Sequence, residues 1–146
     1  MLKKFTIVIP TFKNINYLKL CIESILKNSS IPHQLIIHIN GIDEETEFFL
    51  NQKKILYTKT DTNVGLCSGV NLAANKADTN YILYAHDDMY FLPDWDIRLD
   101  EEVMKIKHNN FYLSMTHISC MNGVKGDIQH IVFDCGSDFK EFNENK

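Results

Sequence analysis

Three features of the sequence predict an α/β fold with a mostly parallel sheet and helices on both faces. Strand-like and helix-like segments alternate from Phe5 to His117, the first strand candidate is a β-branched, apolar run, and polar or turn-forming residues follow the strands. An unbroken apolar run is what a strand shows when both of its faces are covered, as helices cover a parallel sheet. Ligands of such sheets bind beyond the carboxyl ends of the strands. The segments Pro10 to Asn14, Asn40 to Asp43, Asp61 to Gly65 and His86 to Pro93 are therefore the loops to search for a site.

Phe5-Thr6-Ile7-Val8-Ile9, closed by Pro10, is the first strand. From Asn16 to about Asn28, Leu18, Cys21, Ile22, Ile25 and Leu26 recur at spacings of three and four, with Lys19, Glu23 and Lys27 opposite, which predicts an amphipathic helix. Gln34 to Asn40 is the second strand. Asp43 offers an N-cap, and Glu44 and Glu45 suit the first-turn dipole of a short helix through Phe49. Ile55 to Thr58 is the third strand, and Leu66, Val70 and Ala74 give helical spacing to Val64–Asn75 despite Gly65 and Gly69. Tyr81 to Ala85 is the fourth strand. Trp95, Leu99, Val103 and Ile106 form a helical stripe after Pro93, and Phe111 to His117 reads as a fifth strand. In the tail, Gly123, Gly126 and Asp127 suggest a turn and Ile128 to Phe133 a further strand.

With 146 residues the expectation is one domain, 1–146, with one core, truncated after about residue 120. Fifteen basic against nineteen acidic residues, with no basic block, argue against binding the phosphates of a nucleic acid. Cys21, Cys67, Cys120 and Cys135 form no CxxC pair, and the elements around three of them predict core thiols in a reducing cytoplasm. The apolar run after Lys3-Lys4 is too short for a signal peptide, and no segment approaches the roughly twenty apolar residues of a membrane span. Any membrane association would then be peripheral or carried by another chain.

The most informative segment is Tyr81-Ile82-Leu83-Tyr84-Ala85-His86-Asp87-Asp88, an apolar strand that runs into two adjacent carboxylates. Charge is costly inside a strand, so the strand must end there. Two aspartates at the mouth of a parallel sheet can hold a hard divalent cation through oxygen and leave positions for water and a diphosphate. The plainer alternative is that they cap the following loop or sit solvated on it. His86 could ligate but is more simply structural, as are His117 and His130. Lys13 could meet a phosphate or stay solvated.

Together with Ile7-Val8-Ile9-Pro10-Thr11-Phe12-Lys13-Asn14, the Asn63-Val64-Gly65 turn with Asn71, and Pro93 and Trp95, this strand resembles the nucleotide-binding half of glycosyltransferase family 2. The resemblance covers roughly residues 5 to 100. It implies the GT-A fold, a nucleoside diphosphate sugar as donor (a UDP-sugar first), manganese or magnesium as cofactor, and inverting transfer to an acceptor hydroxyl. By position, Thr11 and Phe12 would flank the base, Pro10, Asn40, Asn63, Gly65 and Asn71 would belong to the nucleotide site, and Asp87 and Asp88 would lie at the ribose, metal and diphosphate.

The chain departs from the family's pattern in three places. Asn40 stands where the family commonly has an acid, which leaves the base preference open, since an amide both donates and accepts. Phe12 replaces a frequent tyrosine, so stacking remains without a hydroxyl. Only about 58 residues follow Asp88, so the catalytic base is unassigned; Asp127, Asp134 and Asp138 are the candidates, each also readable as a turn or surface acid. Two rivals remain: a nucleotidyltransferase, disfavoured because no glycine-rich basic loop follows the first strand, and a non-catalytic nucleotide-sugar-binding or interaction module.

Overall fold

The computed structural model describes residues 3–115, 117–119, 130–136 and 138–145, with 117–119 and 130–132 described by backbone alone. The elements in order are β1 (Phe5–Thr11), α1 (Ile15–Asn28), β2 (Gln34–Asn40), α2 (Glu44–Lys53), β3 (Leu56–Thr60), α3 (Leu66–Ala74), β4 (Tyr81–Tyr84), α4 (Trp95–Lys105), β5 (His117–Ser119) and β6 (His130–Val132). The chain falls into two compact units, Met1–Ile97 and Arg98–Lys146.

In the first unit four parallel strands are ordered β3-β2-β1-β4. Right-handed crossovers place α1 and α2 on one face of this sheet and α3 on the other. The chain leaves β1 toward β2 on one side, while β4 lies on the other side of β1, so the β1/β4 boundary is the point where the winding reverses and a crevice opens. Every residue of β1 is buried. On the α3 face Val8, Ile36 and Ala73 form a core cluster joined by Val70 and Ala74. Gly69 lets α3 approach β2 closely: a Cβ there would stand 2.7 Å from Cδ2 of the buried His38. Burial lowers the pKa of that histidine, which accepts or donates at Nδ1 with Thr58 Oγ1 at 2.8 Å.

Where the boundaries differ from the sequence reading, local chemistry accounts for it. β1 continues through Pro10 to Thr11, because beyond Val8 it pairs only with β2 and the missing proline N–H interrupts no second ladder. α2 begins as the Asp43 cap predicts, with Thr46 N donating to Asp43 Oδ1 at 3.1 Å, but runs on to Lys53 and stops at Lys54 in the left-handed region. α3 starts at Leu66 rather than Val64, since Gly65 has φ +84° and serves as its N-cap.

The expected fifth strand is a correction. Residues 111–115 form no strand; β5 covers only 117–119 and pairs with β6 in a separate parallel ladder. The apolar run Phe111-Tyr112-Leu113 has strand composition, but Tyr112 is exposed and gains no burial from which a strand could be stabilised. The expected turn at Gly123, Gly126 and Asp127 lies outside the described residues, as do 128 and 129 of the expected Ile128–Phe133 strand, of which β6 covers His130–Val132 and stops before Phe133. No helix among the described residues is long and apolar enough to cross a membrane.

The segment after β4 is tied down along α1. Cys21 donates its thiol to His86 O at 3.6 Å, Phe91 N donates to Ser24 Oγ at 2.9 Å, and Asn28 Nδ2 donates to Phe91 O at 2.6 Å. Burial pushes the Cys21 thiol up to about 12, with the charges of Asp87 and Asp88 adding to it, so it stays a neutral donor. Further on, the fully buried Asp96 accepts from Ser30 N and Ile31 N at 2.8 Å and meets His33 Nε2 at 3.0 Å, while Trp95 Nε1 donates to Ser29 Oγ. Burial alone would raise the Asp96 carboxyl; the bonds from Ile31, His33, Ser30 and Ile97 outweigh it and hold the group below the ordinary carboxylate value.

Of the four cysteines, three of which were expected in the core, Cys21 is buried, Cys135 is half-buried and Cys67 is exposed; Cys120 lies outside the described residues. Cys67 occupies the first turn of α3 on its solvent side, a position that helical periodicity alone does not distinguish from the packed one.

Candidate functional site

All four parallel strands point their carboxyl ends at one edge of the sheet, and the loops there enclose a cavity of about 460 Å³. Its lining comprises Pro10, Thr11, Phe12, Lys13 and Asn14 after β1, Asn40 at the end of β2, Asn63, Gly65 and Leu66 before α3, and His86 and Asp87 after β4. The structure thus gathers seven residues singled out in the sequence, Pro10, Thr11, Phe12, Asn40, Asn63, Gly65 and Asp87, around one opening. Asn71 is not among them; it is exposed on α3, nearly two turns beyond Gly65. Asp88 adjoins the opening, exposed in the turn that follows β4.

Asp87 is the most firmly placed of these side chains. Thr11 Oγ1 donates to its Oδ2 at 2.6 Å and Asn14 Nδ2 to its Oδ1 at 3.0 Å, so the loop after β1 grips the loop after β4 across the reversal point of the sheet. Asn14 is the N-cap residue of α1, yet its side chain makes no cap bond to its own helix. A residue type chosen for helix starts is here spent on the carboxylate instead. The Asn14 contact was not foreseen from sequence; the signal available was an Asn at a predicted helix start opposite an acid at a strand end.

Asp88 contrasts with its neighbour. It is exposed and makes no hydrogen bond to any described residue. Both carboxylates help raise the Tyr84 hydroxyl pKa, behind burial and Cys67. The Tyr84 hydroxyl lies 3.0 Å from His86 Nε2, which ties the histidine beside the aspartates to β4. Among the described residues no group of three or more His, Cys, Asp or Glu side chains could hold a metal ion by itself.

The opposite wall is a pinned turn. Val64 N donates to Asn40 Oδ1 at 2.7 Å, Asn40 Nδ2 donates to Gly65 O at 3.3 Å, and Gly65 N donates to Asn63 Oδ1 at 2.9 Å. Phe12 is 49% exposed and lines the cavity, with Lys13 Nζ over its ring, 5.7 Å from the centroid. Asp127 lies outside the described residues. Asp134 and Asp138 are exposed in the second unit, where Asp134 accepts from Gly136 N and Asp138 accepts from Lys140 N and Glu141 N within their own turns.

Known proteins share this architecture. The structure of residues 1–349 of S. aureus TarS superposes with a TM-score of 0.62 at 15% identity, over 77% of this chain and 39% of that one. The same TarS fragment in complex with UDP gives a TM-score of 0.61 over equal shares. The likeness identifies the fold as GT-A. In sequence, the glycosyltransferase GlyA of Streptococcus pneumoniae is 24% identical over 118 residues, and an uncharacterized glycosyltransferase of Rickettsia bellii is 28% identical over 117. The chain spans 17% and 16% of the lengths of those two relatives. The pattern of Glycosyl transferase family 2 matches residues 6–145, nearly the whole chain, and the chain belongs to that family.

Proposed function

We propose that the Met1–Ile97 unit binds a nucleoside diphosphate sugar, first of all a UDP-sugar, together with Mn2+ or Mg2+, and serves transfer of the sugar to an acceptor hydroxyl with inversion. The observation that carries this is the Thr11–Asp87–Asn14 clasp at the reversal point of the sheet, beside a cavity with a half-exposed aromatic ring. Family membership supports the donor class and leaves the nucleotidyltransferase reading without support.

The donor set suits a hard cation. Asp87 and Asp88 offer carboxylate oxygens only, Asp88 makes no hydrogen bond to a described residue, and fewer than three ligands among the described residues leave room for water and diphosphate oxygens. When bound, such an ion offsets the negative charge that develops on the departing diphosphate. The chain's own residues do the rest. Phe12 provides a face for the base, the Asn63–Gly65 turn borders the nucleoside, and Thr11 and Asn14 hold the Asp87 carboxylate in place so that little reorganisation is needed when the donor binds. Lys13, in the left-handed region at φ 50°, projects a cation at the same opening.

Transfer further requires a base within hydrogen-bond reach of the acceptor hydroxyl. The turn bonds of Asp134 and Asp138 favour a second reading, a binding module without turnover. The two are separated by incubating the chain with UDP-sugars and Mn2+ and assaying free UDP. We expect weak hydrolysis, with water in place of the acceptor, and little transfer. If Asp127, Asp134 or Asp138 is the base, its substitution by Asn lowers the rate by about a hundredfold or more with nucleotide affinity kept. Bound nucleotide with no release of UDP would favour the binding module.

A further inference from the structure

His38 is a fully buried titratable group that takes no part in the donor site described above. It stands two residues before Asn40 on β2, and its ring lies under Gly69, the fourth residue of α3. A Cβ on Gly69 would stand 2.7 Å from the ring's Cδ2, so the helix sits on the ring with no room for a side chain between them. Two threonines of β3 assign the ring proton. Thr60 Oγ1 spends its one hydrogen on Thr62 O at 2.8 Å, so toward the ring it only accepts, and Nε2, 3.5 Å away, is the nitrogen that carries hydrogen. Nδ1 is then bare and accepts from Thr58 Oγ1 at 2.8 Å.

Neutral His38 thus has both nitrogens engaged, and β2 fastens the cavity wall twice. His38 acts before the turn, through Thr60 and Thr62, and Asn40 acts on the turn itself, through Val64 and Gly65. A second proton upsets this. It turns Thr58 from donor to acceptor and leaves an imidazolium with no counterion, since β1, β2, β3 and α3 contain no aspartate or glutamate. Tyr57 and Lys59 alternate with Thr58 and Thr60 and bond Glu47 of α2, on the other face of the sheet. Asp61 and Cys67 are exposed. The positive end of the α3 dipole adds to the cost. Burial accordingly holds the His38 pKa below its ordinary value of about 6.5, so the cost sets in as pH falls below that value and is complete below the folded pKa. Water reaches the ring if the start of α3 rises from the sheet, and that start is the turn bordering the cavity, with Gly65 as its N-cap.

We propose that His38 couples nucleotide binding to pH: proton uptake on its ring lifts the start of α3 and slackens the Asn63–Gly65 wall, so nucleotide is held when His38 is neutral and released in acid. His38 is a positioning residue that acts through α3 and the turn. The inference rests on the nucleotide-binding reading given above.

The test is a nuclear magnetic resonance titration of His38 in the full chain, with and without saturating UDP and Mg2+. At pH 7.5 the ring should be the Nε2–H tautomer. If UDP favours the form with neutral His38, it lowers the midpoint by the same factor by which the proton weakens UDP. A coupling of about fivefold, the low end of the usual range, lowers the midpoint by about 0.7. Attraction by the diphosphate alone would raise it. By calorimetry, UDP affinity should fall further in wild type than in His38→Asn, which offers Thr58 an oxygen and does not titrate, with the difference approaching about fivefold below both midpoints. The diphosphate, Asp87, Asp88 and His86 titrate alike in both proteins and cancel in the comparison. Where UDP binds, a midpoint that it leaves in place or raises, or parallel pH profiles, would overturn this inference alone. Where UDP binds at no pH, the nucleotide reading falls, and exchange of the Val64 and Gly69 amides decides about His38. Protection lost below its midpoint in wild type and kept in His38→Asn supports its hold on the turn; equal protection overturns it. If His38→Asn does not fold, the wild-type titration with and without UDP still decides.

Discussion

Asp88→Asn is expected to weaken metal-dependent nucleotide binding by about a hundredfold or more, roughly 2.7 kcal/mol, while leaving stability within about 0.5 kcal/mol of wild type. The side chain is exposed and makes no hydrogen bond to the described protein, so the substitution breaks no bond within it. Asp87→Asn should lose binding to the same degree but also cost about 1–3 kcal/mol of stability, because an amide cannot accept from both Thr11 and Asn14 at once. Calorimetric titration with UDP and Mn2+, paired with urea unfolding, checks both. If both variants collapse in stability and binding per folded molecule is unchanged, the pair is a loop cap and not a metal site.

Asp96→Ala is expected to cost about 3–5 kcal/mol, a large part of the 5–15 typical of a domain. The substitution leaves Ser30 N, Ile31 N and His33 facing a buried void, in a place where the His33 Nδ1 already has no partner among the described residues. The pH dependence follows from the depressed carboxyl. A folded-state pKa below the unfolded value near 3.9 gives stability that is present above that value and lost as pH falls through the folded one. The gap between wild type and Asp96→Ala should therefore be flat from pH 5 to 8 and close in strong acid. A variant within about 1 kcal/mol of wild type at pH 7 would show that the contact is incidental.

The parallel sheet was legible because each strand carries its own signal. Phe5 to Ile9 and the Leu35-Ile36-Ile37 run put apolar residues on both faces, Asp43 announces α2, and the helical stripes of α1 and α4 are regular. Boundaries set by tertiary bonds were not legible. The start of α3 depends on Asn40, 24 residues away from Val64, and no local pattern reports that. The expected strand over Phe111 to His117 failed for a related reason: its composition is strand-like, but strand formation depends on a neighbour and a covered face, which composition does not supply.

The site divides in the same way. That Thr11, Phe12, Asn40, Asn63, Gly65 and Asp87 converge could be expected from their places at strand ends, because a parallel sheet delivers all its carboxyl-end loops to one edge. What each side chain does there could not. Asn40 reads in sequence as a candidate for the base and is found bonded to the turn; Asn14 reads as a helix cap and is found on Asp87; Asn71 belongs to the motif and lies on the outside of α3. Hydrogen-bond partners at long sequence separation decide these roles.

The central claim is that this unit holds a nucleoside diphosphate through a cation at Asp87 and Asp88. Thermal unfolding of the chain with UDP and with GDP, in Mn2+ or Mg2+ and again in excess chelator, tests it most directly. At a nucleotide concentration about a hundred times the dissociation constant, bound ligand adds about 2.7 kcal/mol. The account predicts a rise in melting temperature of several degrees with metal and none with chelator. Equal rises under both conditions would contradict the metal, and no rise with any nucleoside diphosphate would contradict the site.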